Sequence, residues 1–471
     1  MKTNWKLLVS ILVPLVILLI PVESFGIVGL DIIQQRVIAL FFLAALLWIL
    51  EPIPIYATSL LIIVLELITI STSGLEPLVA DAGTATFGEL IPYQEIMATF
   101  ASPIIMLFLG GFFLAMAATK YRLDQNLARV LLKPFGTNPK YLMLGIMAIT
   151  ATFSMFMSNT ATTAMMLSLL VPVLAAFDQG DAGKIGLALS IPFAANIGGI
   201  ATPIGTPPNA IALKYLTGTD TITFGSWMVF GLPYVLVMLF VVWVLLIWFY
   251  PSTTAAVKLN IKGKFLKSSK AYIVYVTFGL TILLWLFDFL HGMNAYVVGL
   301  IPVGVFLATN IITKEDLKKL SWDVLWLVSG GIALGLALDK TGLAANLINN
   351  IAFDELSPYV IVLAATVLAT LMANFMSNTA TANLLLPIIA VLGTALPALE
   401  GLGGSKMLIL SVAMAASLGM ALPISTPPNA LAHATGLIKT QDMTKVGVVI
   451  GLVGLIGIYL LMFVLKITNF F

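Results

Sequence analysis

The hexapeptide MSNTAT at residues 157–162 returns unchanged at residues 376–381. Downstream of the first copy stands PIGTPPNA (203–210), and downstream of the second stands PISTPPNA (423–430). Upstream, Gly110-Gly111 in LFLGGFFLAMA is matched by Gly330-Gly331 in LVSGGIALGLA. From Gly110 to Gly330, Ser158 to Ser377 and Thr206 to Thr426 the offsets are 220, 219 and 220 residues. One short match in an apolar sequence means little, because few residue types are in use. Three matches in one order and at one offset mark an internal repeat of about two hundred residues.

The chain is 60% hydrophobic and 9% charged, against roughly 25% charged in a soluble domain. Apolar runs long enough to cross a bilayer as helices follow one another from Lys6 onward. Alternating ten-residue strands of a membrane β-barrel are not seen. The expected class is therefore an all-α polytopic membrane protein. Leu7–Val22 is read as a first membrane helix rather than a leader, since no small-residue cleavage site follows it. With no cysteine, thiolate chemistry and disulfides are excluded. Only His291 and His433 are available for imidazole chemistry.

Positive charge sets the expected topology. Segments 119–141, 251–270 (Lys258, Lys262, Lys264, Lys267, Lys270) and 311–320 are rich in Lys and Arg, whereas 71–96, 215–223 and 341–356 have none. The basic segments are assigned to the cytoplasm, and acidic 71–96 to an exposed outer loop. Both MSNTAT copies join two apolar arms without a charged or Gly/Pro turn. Polar backbone at membrane depth is tolerated where it is buried in protein or lines a wet cavity, so each copy is read as the tip of a re-entrant hairpin. The count is then eleven transmembrane helices plus two opposed hairpins, N-terminus cytoplasmic and C-terminus outside. The Gly110 and Gly330 helices run in opposite directions, so the repeat is inverted, an arrangement typical of secondary transporters. The expected segments are 1–95 (N-terminal scaffold), 96–223 (first repeat: hairpin 139–177, broken helix 184–214), and 224–320 (scaffold with a cytoplasmic loop). They continue with 321–440 (second repeat: hairpin 357–397, broken helix 405–435) and 441–471 (a last helix).

The repeated turns suit an anion. Ser158, Asn159 and Thr160, with Ser377, Asn378 and Thr379, supply short donors. They also begin helices whose first N–H groups lack partners and whose dipoles point positive end first. Two such turns match an anion with two negative ends, a dicarboxylate of four or five carbons. Thr206-Pro207-Pro208 and Thr426-Pro427-Pro428 must break their helices and free carbonyls near Gly205 and Ser425 for a cation such as Na⁺. Asn196 and Asn383 are read as supporting hydrogen-bond partners, and His433 as a packed or interfacial side chain. No nucleophile–base pair, metal cluster or Walker motif is present, so neither an enzyme nor an ATP-driven pump is expected.

Paired SNT turns, each followed by a TPPN break, resemble the divalent anion–sodium symporter family of di- and tricarboxylate transporters. The resemblance implies homodimers, an elevator-like transport domain, and Ser158, Asn159, Thr160, Ser377, Asn378, Thr379 and the Thr206-Pro207 and Thr426-Pro427 loops at the substrate. It also implies one Na⁺ at each hairpin tip. Ser154, Ser158, Asn159 and Gly205 keep that pattern; Ala373, Met376, Asn378 and Ser425 depart from it, since Ala373 stands where a hydroxyl is expected. The expected function is secondary transport of succinate, malate, fumarate or 2-oxoglutarate, by exchange with weak or no Na⁺ coupling. The alternatives are a Na⁺ symporter, a carrier of another divalent oxyanion such as sulfate, and an anion channel. The partners expected are the substrate anion, the lipid bilayer and a second copy, with no cofactor beyond Na⁺ and no nucleic acid.

Overall fold

A computed structural model describes residues 5–80, 86–174, 177–257, 264–350, 357–468 and 470. Lys258, Lys262 and Asp81 lie outside them. The described chain is helical, and its only β pairing is an isolated bridge between Ser71 and Ile91. The helices that matter here are α1 (Trp5–Leu19), α2 (Ile32–Leu50), α3 (Ile55–Thr69), α4 (Pro103–Lys120), α5 (Leu123–Leu132), α6 (Pro139–Ser154) and α7 (Asn159–Leu174). They continue with α8 (Gly183–Gly199), α9 (Pro207–Tyr215), α10 (Phe224–Phe249), α11 (Ser269–Leu286), α12 (Ala295–Ala308) and α13 (Trp322–Lys340). The last are α14 (Leu343–Asn349), α15 (Pro358–Phe375), α16 (Asn378–Ala395), α17 (Gly404–Ala416), α18 (Pro427–Ala434) and α19 (Thr440–Ile467). Among the described residues, eight helical segments are long and apolar enough to cross a bilayer. The chain is a multi-pass membrane protein.

Local chemistry places the helix starts. Asp31 caps α2 by accepting from the Gln34 N–H at 2.7 Å, and Ser102 and Asn138 cap helices that open on Pro103 and Pro139. Ser377 caps α16 by accepting from the Ala380 N–H at 3.1 Å. Within 71–80 and 86–96, not every residue of the expected outer loop is exposed. Phe87 and Ile91 are buried, because the Ile91 carbonyl and N–H bond Thr72 and Ile70 and draw the stretch onto α3.

The repeats pack as two exchanged halves. α8 lies on α6 and α7; its mate α17 lies on α15 and α16. The helix after each break crosses over, α9 onto α16 and α18 onto α7. Outside them α4 pairs with α12, and its mate α13 pairs with α3. Gly110 and Gly330 explain those pairings: a Cβ at Gly110 would strike the Gly299 carbonyl of α12, and one at Gly330 would strike Ser59 of α3. Small residues let membrane helices approach this closely.

The expected scaffold segment 224–320 divides in its packing. α11 and α12 lie on α4, whereas α10 lies on α8 and α6. Trp227 of α10 donates its indole N–H to the Ile200 carbonyl at 3.0 Å, and Tyr234 donates to the Gly454 carbonyl of α19 at 3.0 Å.

One pairing has no mirror image. α13 lies along α16, where Asn383 donates to the Leu327 carbonyl at 2.9 Å. Among the described residues, α4 and α7 share no comparable packing. Lys214 of α9 adds to the closed side, donating to the Ile332 carbonyl of α13 at 2.6 Å, near the buried Glu66 of α3.

Candidate functional site

The two SNT turns and the two TPPN breaks meet at one cavity of about 180 Å³. Ser158, Asn159 and Thr160 line one side and Ser377, Asn378 and Thr379 the other, with Thr206, Pro207, Thr426, Pro427 and Pro428 between them. Gly205 and Ser425 also reach it. Every residue expected to touch substrate is thus brought to one place. Drug-sized sites take up roughly 300 Å³ or more, so this one suits a small solute.

Four helix N-termini converge here: α7, α9, α16 and α18. α7 and α16 present free N–H groups in their first turn, whereas α9 and α18 open on two prolines that have none. All four direct positive dipole ends inward. Among the described lining residues Asp323 is the single formal charge, and no Lys or Arg is present. Positive potential therefore comes from dipoles and neutral donors, which bind an anion without clamping it.

The composition of the breaks is explained by Asn209 and Asn429. Asn209 donates to the carbonyls of Gly199, Ile200 and Thr202 at 3.2, 3.1 and 2.9 Å. Asn429 donates to those of Met420 and Leu422 at 2.8 and 3.0 Å. Each asparagine thereby ties down carbonyls of the broken stretch that precedes its own helix.

Asn196, read from sequence only as a supporting residue, lines the cavity, with its amide donating to Thr426 Oγ1 and Asn429 Oδ1 at 3.1 Å each. Asn383 of α16 is not among its lining residues and donates to the Leu327 carbonyl of α13. His433 also lies away, half-exposed with Nε2 3.2 Å from Thr440 Oγ1. Sequence reasoning missed Asp323, Phe108, Phe112 and Ile55 at the cavity. Asp323 had a signal: it is a lone acid seven residues before the repeated Gly330.

The family model described as "Sodium:sulfate symporter transmembrane region" matches residues 1–467. The chain belongs to the divalent anion–sodium symporter family. It is 32% identical over 469 residues to the sodium-dependent dicarboxylate transporter SdcS of Staphylococcus saprophyticus, covering 91% of this chain and 85% of that protein. It is 30% identical over 473 residues to the sodium-dependent high-affinity dicarboxylate transporter 3 of Caenorhabditis elegans, covering 87% of this chain and 79% of that protein. Its fold resembles the crystal structure of the Alcanivorax borkumensis YdaH transporter, described as having an unusual topology (TM-score 0.53, 13% identity, 78% of this chain and 86% of that one). The chain is a transporter and not an enzyme.

Family membership makes the hairpin tips worth testing as Na⁺ sites. At the first, the inner atom of the Asn159 amide, its oxygen, lies 2.5 Å from Ser154 Oγ, 3.0 Å from the Gly205 carbonyl and 3.3 Å from the Ala195 carbonyl. Either the amide turns and its nitrogen donates to all three, or a hard cation sits among four oxygens. These residues fit a cation.

At the second tip Ala373 is fully buried against the Gly419 backbone and offers no oxygen. The Ala415 carbonyl, mate of Ala195, is bonded by Thr370 at 3.1 Å. Ser425 is committed too: its hydroxyl donates to the Asn374 carbonyl at 2.9 Å and accepts from the Leu422 N–H at 3.1 Å. Asn378 keeps a buried Oδ1 to which no described residue donates.

Proposed function

We propose that this protein is a secondary transporter of C4 and C5 dicarboxylates. The carrying observation is the pair of SNT turns facing each other across one small cavity, with dipoles and neutral donors but no Lys or Arg around it. Each turn holds one carboxylate through hydroxyls, an amide and first-turn N–H groups. The printed names of the relatives support the substrate class. Sulfate, with a single centre, would leave one of the two turns unused.

In this reading the fold has eleven transmembrane helices and two opposed hairpins, N-terminus cytoplasmic, and works as a homodimer. The body built on α6–α10 and α15–α19 moves as a unit against α1–α4 and α11–α13. The unmatched packing of α13 on α16 supports it, because one side is closed while α4 and α7 stand apart. Ile55, Asp323 and Val324, at the ends of α3 and α13 that this topology puts on the cytoplasmic side, line the cavity, which supports an inward-facing arrangement. Anion-channel activity is disfavoured, since substrate must then move with the body.

Exchange with weak or no Na⁺ coupling is the favoured mode, because Ala373 removes a hydroxyl and the Ser425 hydroxyl lies on the Asn374 carbonyl rather than in its place. The second reading is Na⁺ symport through the first tip, supported by the oxygens around Asn159 and by the relatives' names. There Ser154, Asn159, Ala195 and Gly205 would hold Na⁺, whose charge would supply further attraction for the substrate.

The test is labelled succinate uptake into proteoliposomes, with and without internal dicarboxylate, in Na⁺ and in choline. Uptake that requires internal dicarboxylate and ignores Na⁺ establishes exchange. Uptake into empty vesicles driven by inward Na⁺ establishes symport. Absence of saturable dicarboxylate flux in every condition removes the proposal.

A further inference from the structure

Three polar side chains gather inside the membrane where α9 of the body rests on α3 and α13 of the frame. Glu66 of α3 is fully buried, and no described residue donates to either of its carboxyl oxygens. Lys214 and Tyr215 end α9 and reach α13, where a Cβ at Gly335 would strike Tyr215 Oη and crowd Lys214 Nζ at 3.1 Å. Lys214 lies near Glu66, yet it donates to the Ile332 carbonyl at 2.6 Å and makes no ion pair among the described residues. Tyr215 Oη is buried and no described residue bonds it.

The other charges on the elements packed against α3 are engaged elsewhere. Arg36 of α2 donates to the Thr69 and Leu78 carbonyls at 2.7 Å each. Glu95 pairs with Lys340 at the end of α13, at 2.9 Å. Asp339 of α13 lies near Lys214 and Tyr215. The cluster exists on one side of the protein only: α18, the mate of α9, has Ala434 and Thr435 in place of Lys214 and Tyr215, and the mate of Gly335 is Ala115.

We propose that Glu66 is a proton-binding site linked to the position of the body. An ionised side chain at membrane depth is costly without a partner or water, and a carboxylate can only accept. With α9 docked on α13, Glu66 is closed off from water and faces no donor, and its carboxyl holds a proton. When the body leaves, the outer side opens at the last turn of α3, water enters, and the proton passes to solvent. One proton is bound on docking and one released on undocking, so by reciprocity acid favours the docked arrangement. This inference rests on the transport reading above, in which the docked arrangement opens the cavity to the cytoplasm.

The experiment is labelled fumarate uptake into right-side-out membrane vesicles loaded with unlabelled fumarate, at equal pH inside and out, from pH 6.5 to 8.5. Fumarate stays doubly ionised across that range, so a pH effect belongs to the protein. The proteins compared are the wild type, Glu66→Gln and Glu66→Met, the two variants carrying neutral side chains of similar length. Acid should draw protein away from the outward-open form and so raise the external KM. The wild-type KM is expected to rise roughly three- to thirtyfold between pH 8.5 and 6.5, within the limit of about tenfold per pH unit for one proton. Both variants should show one KM throughout, close to the wild-type value at pH 6.5. Ratios of KM are independent of how much variant protein folds. A wild-type KM that stays constant or falls with acid overturns the proposal without any variant, as do variants that keep the wild-type rise. Saturable uptake with a KM independent of pH removes this inference alone; no saturable fumarate uptake at all removes the functional reading with it.

Discussion

Replacing Ser154 by alanine tests whether the first hairpin tip is a cation site. Ser154 is fully buried, and its hydroxyl lies 2.7 Å from the Ala195 carbonyl and 2.5 Å from the Asn159 amide oxygen. It is one of four oxygens that would surround the ion, and no water can replace it at that depth without a new cavity. A hydrogen bond to a charged group is worth roughly 1.5–3 kcal/mol net, and we take one oxygen ligand to Na⁺ as similar. At about 1.4 kcal/mol per decade, the Na⁺ concentration for half-maximal response should rise roughly tenfold to a hundredfold. If no ion binds, Ser154→Ala removes two neutral hydrogen bonds, with the Ala195 carbonyl and the Asn159 amide, about 2 kcal/mol of stability, and leaves transport kinetics alone. The assay is uptake against Na⁺ concentration, paired with thermal unfolding in Na⁺ and in choline. Ala373→Ser serves as the mirror experiment, because serine is the smallest hydroxyl residue that fits against Gly419. A wild type that responds to Na⁺ and a Ser154→Ala variant with the same half-maximal concentration would refute the assignment of Ser154 as a ligand.

Two further outcomes are expected. A Cβ on Gly331 would overlap the Asn383 side chain, whereas one on Gly111, its mate, meets only Ile204 Cδ1 at 3.8 Å; Gly331→Ala should therefore cost roughly 1–3 kcal/mol of overpacking and Gly111→Ala almost nothing, read by thermal unfolding in detergent. Asp181, in the loop between α7 and α8, is buried, which alone would raise its pKa, but hydrogen bonds from Thr254, Gly183 and Ser252 outweigh burial and hold it at about 2. Its stabilisation is complete above the ordinary carboxyl value of about 3.9 and is lost as pH falls toward 2, so Asp181→Asn should lower the unfolding temperature at pH 7 and the gap should close through the acid range; a gap independent of pH counts against the reading.

Much of the site was legible because its parts are repeated in order. Two turns and two breaks at one offset announce that they work together, and the cavity contains all of them. Phe108 and Ile55 were not legible, because nothing in the sequence marks that contact, whereas Asp323 carried one signal, its place seven residues before the repeated Gly330. Asn196 was read as a supporting hydrogen-bond partner; the partner itself was not legible, since it is Asn429, 233 residues away, whose amide faces two backbone carbonyls that no sequence displays.

Ser425 illustrates what a residue-by-residue comparison of the repeats misses. Beside Gly205 it looks like an added oxygen able to replace the hydroxyl missing at Ala373. In the first repeat, Thr202 Oγ1 accepts from the Gly205 N–H at 3.0 Å and donates to the Met155 carbonyl. In the second, Ser425 Oγ accepts from the Leu422 N–H and donates to the Asn374 carbonyl. Positions 202 and 205 are the mates of 422 and 425, and 155 is the mate of 374, so the same brace is made with its hydroxyl moved to the other end. Thr202 has become Leu422 and Gly205 has become Ser425, and the Ser425 hydroxyl lies on the Asn374 carbonyl rather than on the Ala415 carbonyl, the mate of the one that Ser154 bonds. Ser425 therefore does not stand where Ser154 stands, which is why Ala373→Ser, rather than any change at 425, is the substitution that should place a second hydroxyl at that position of the hairpin tip.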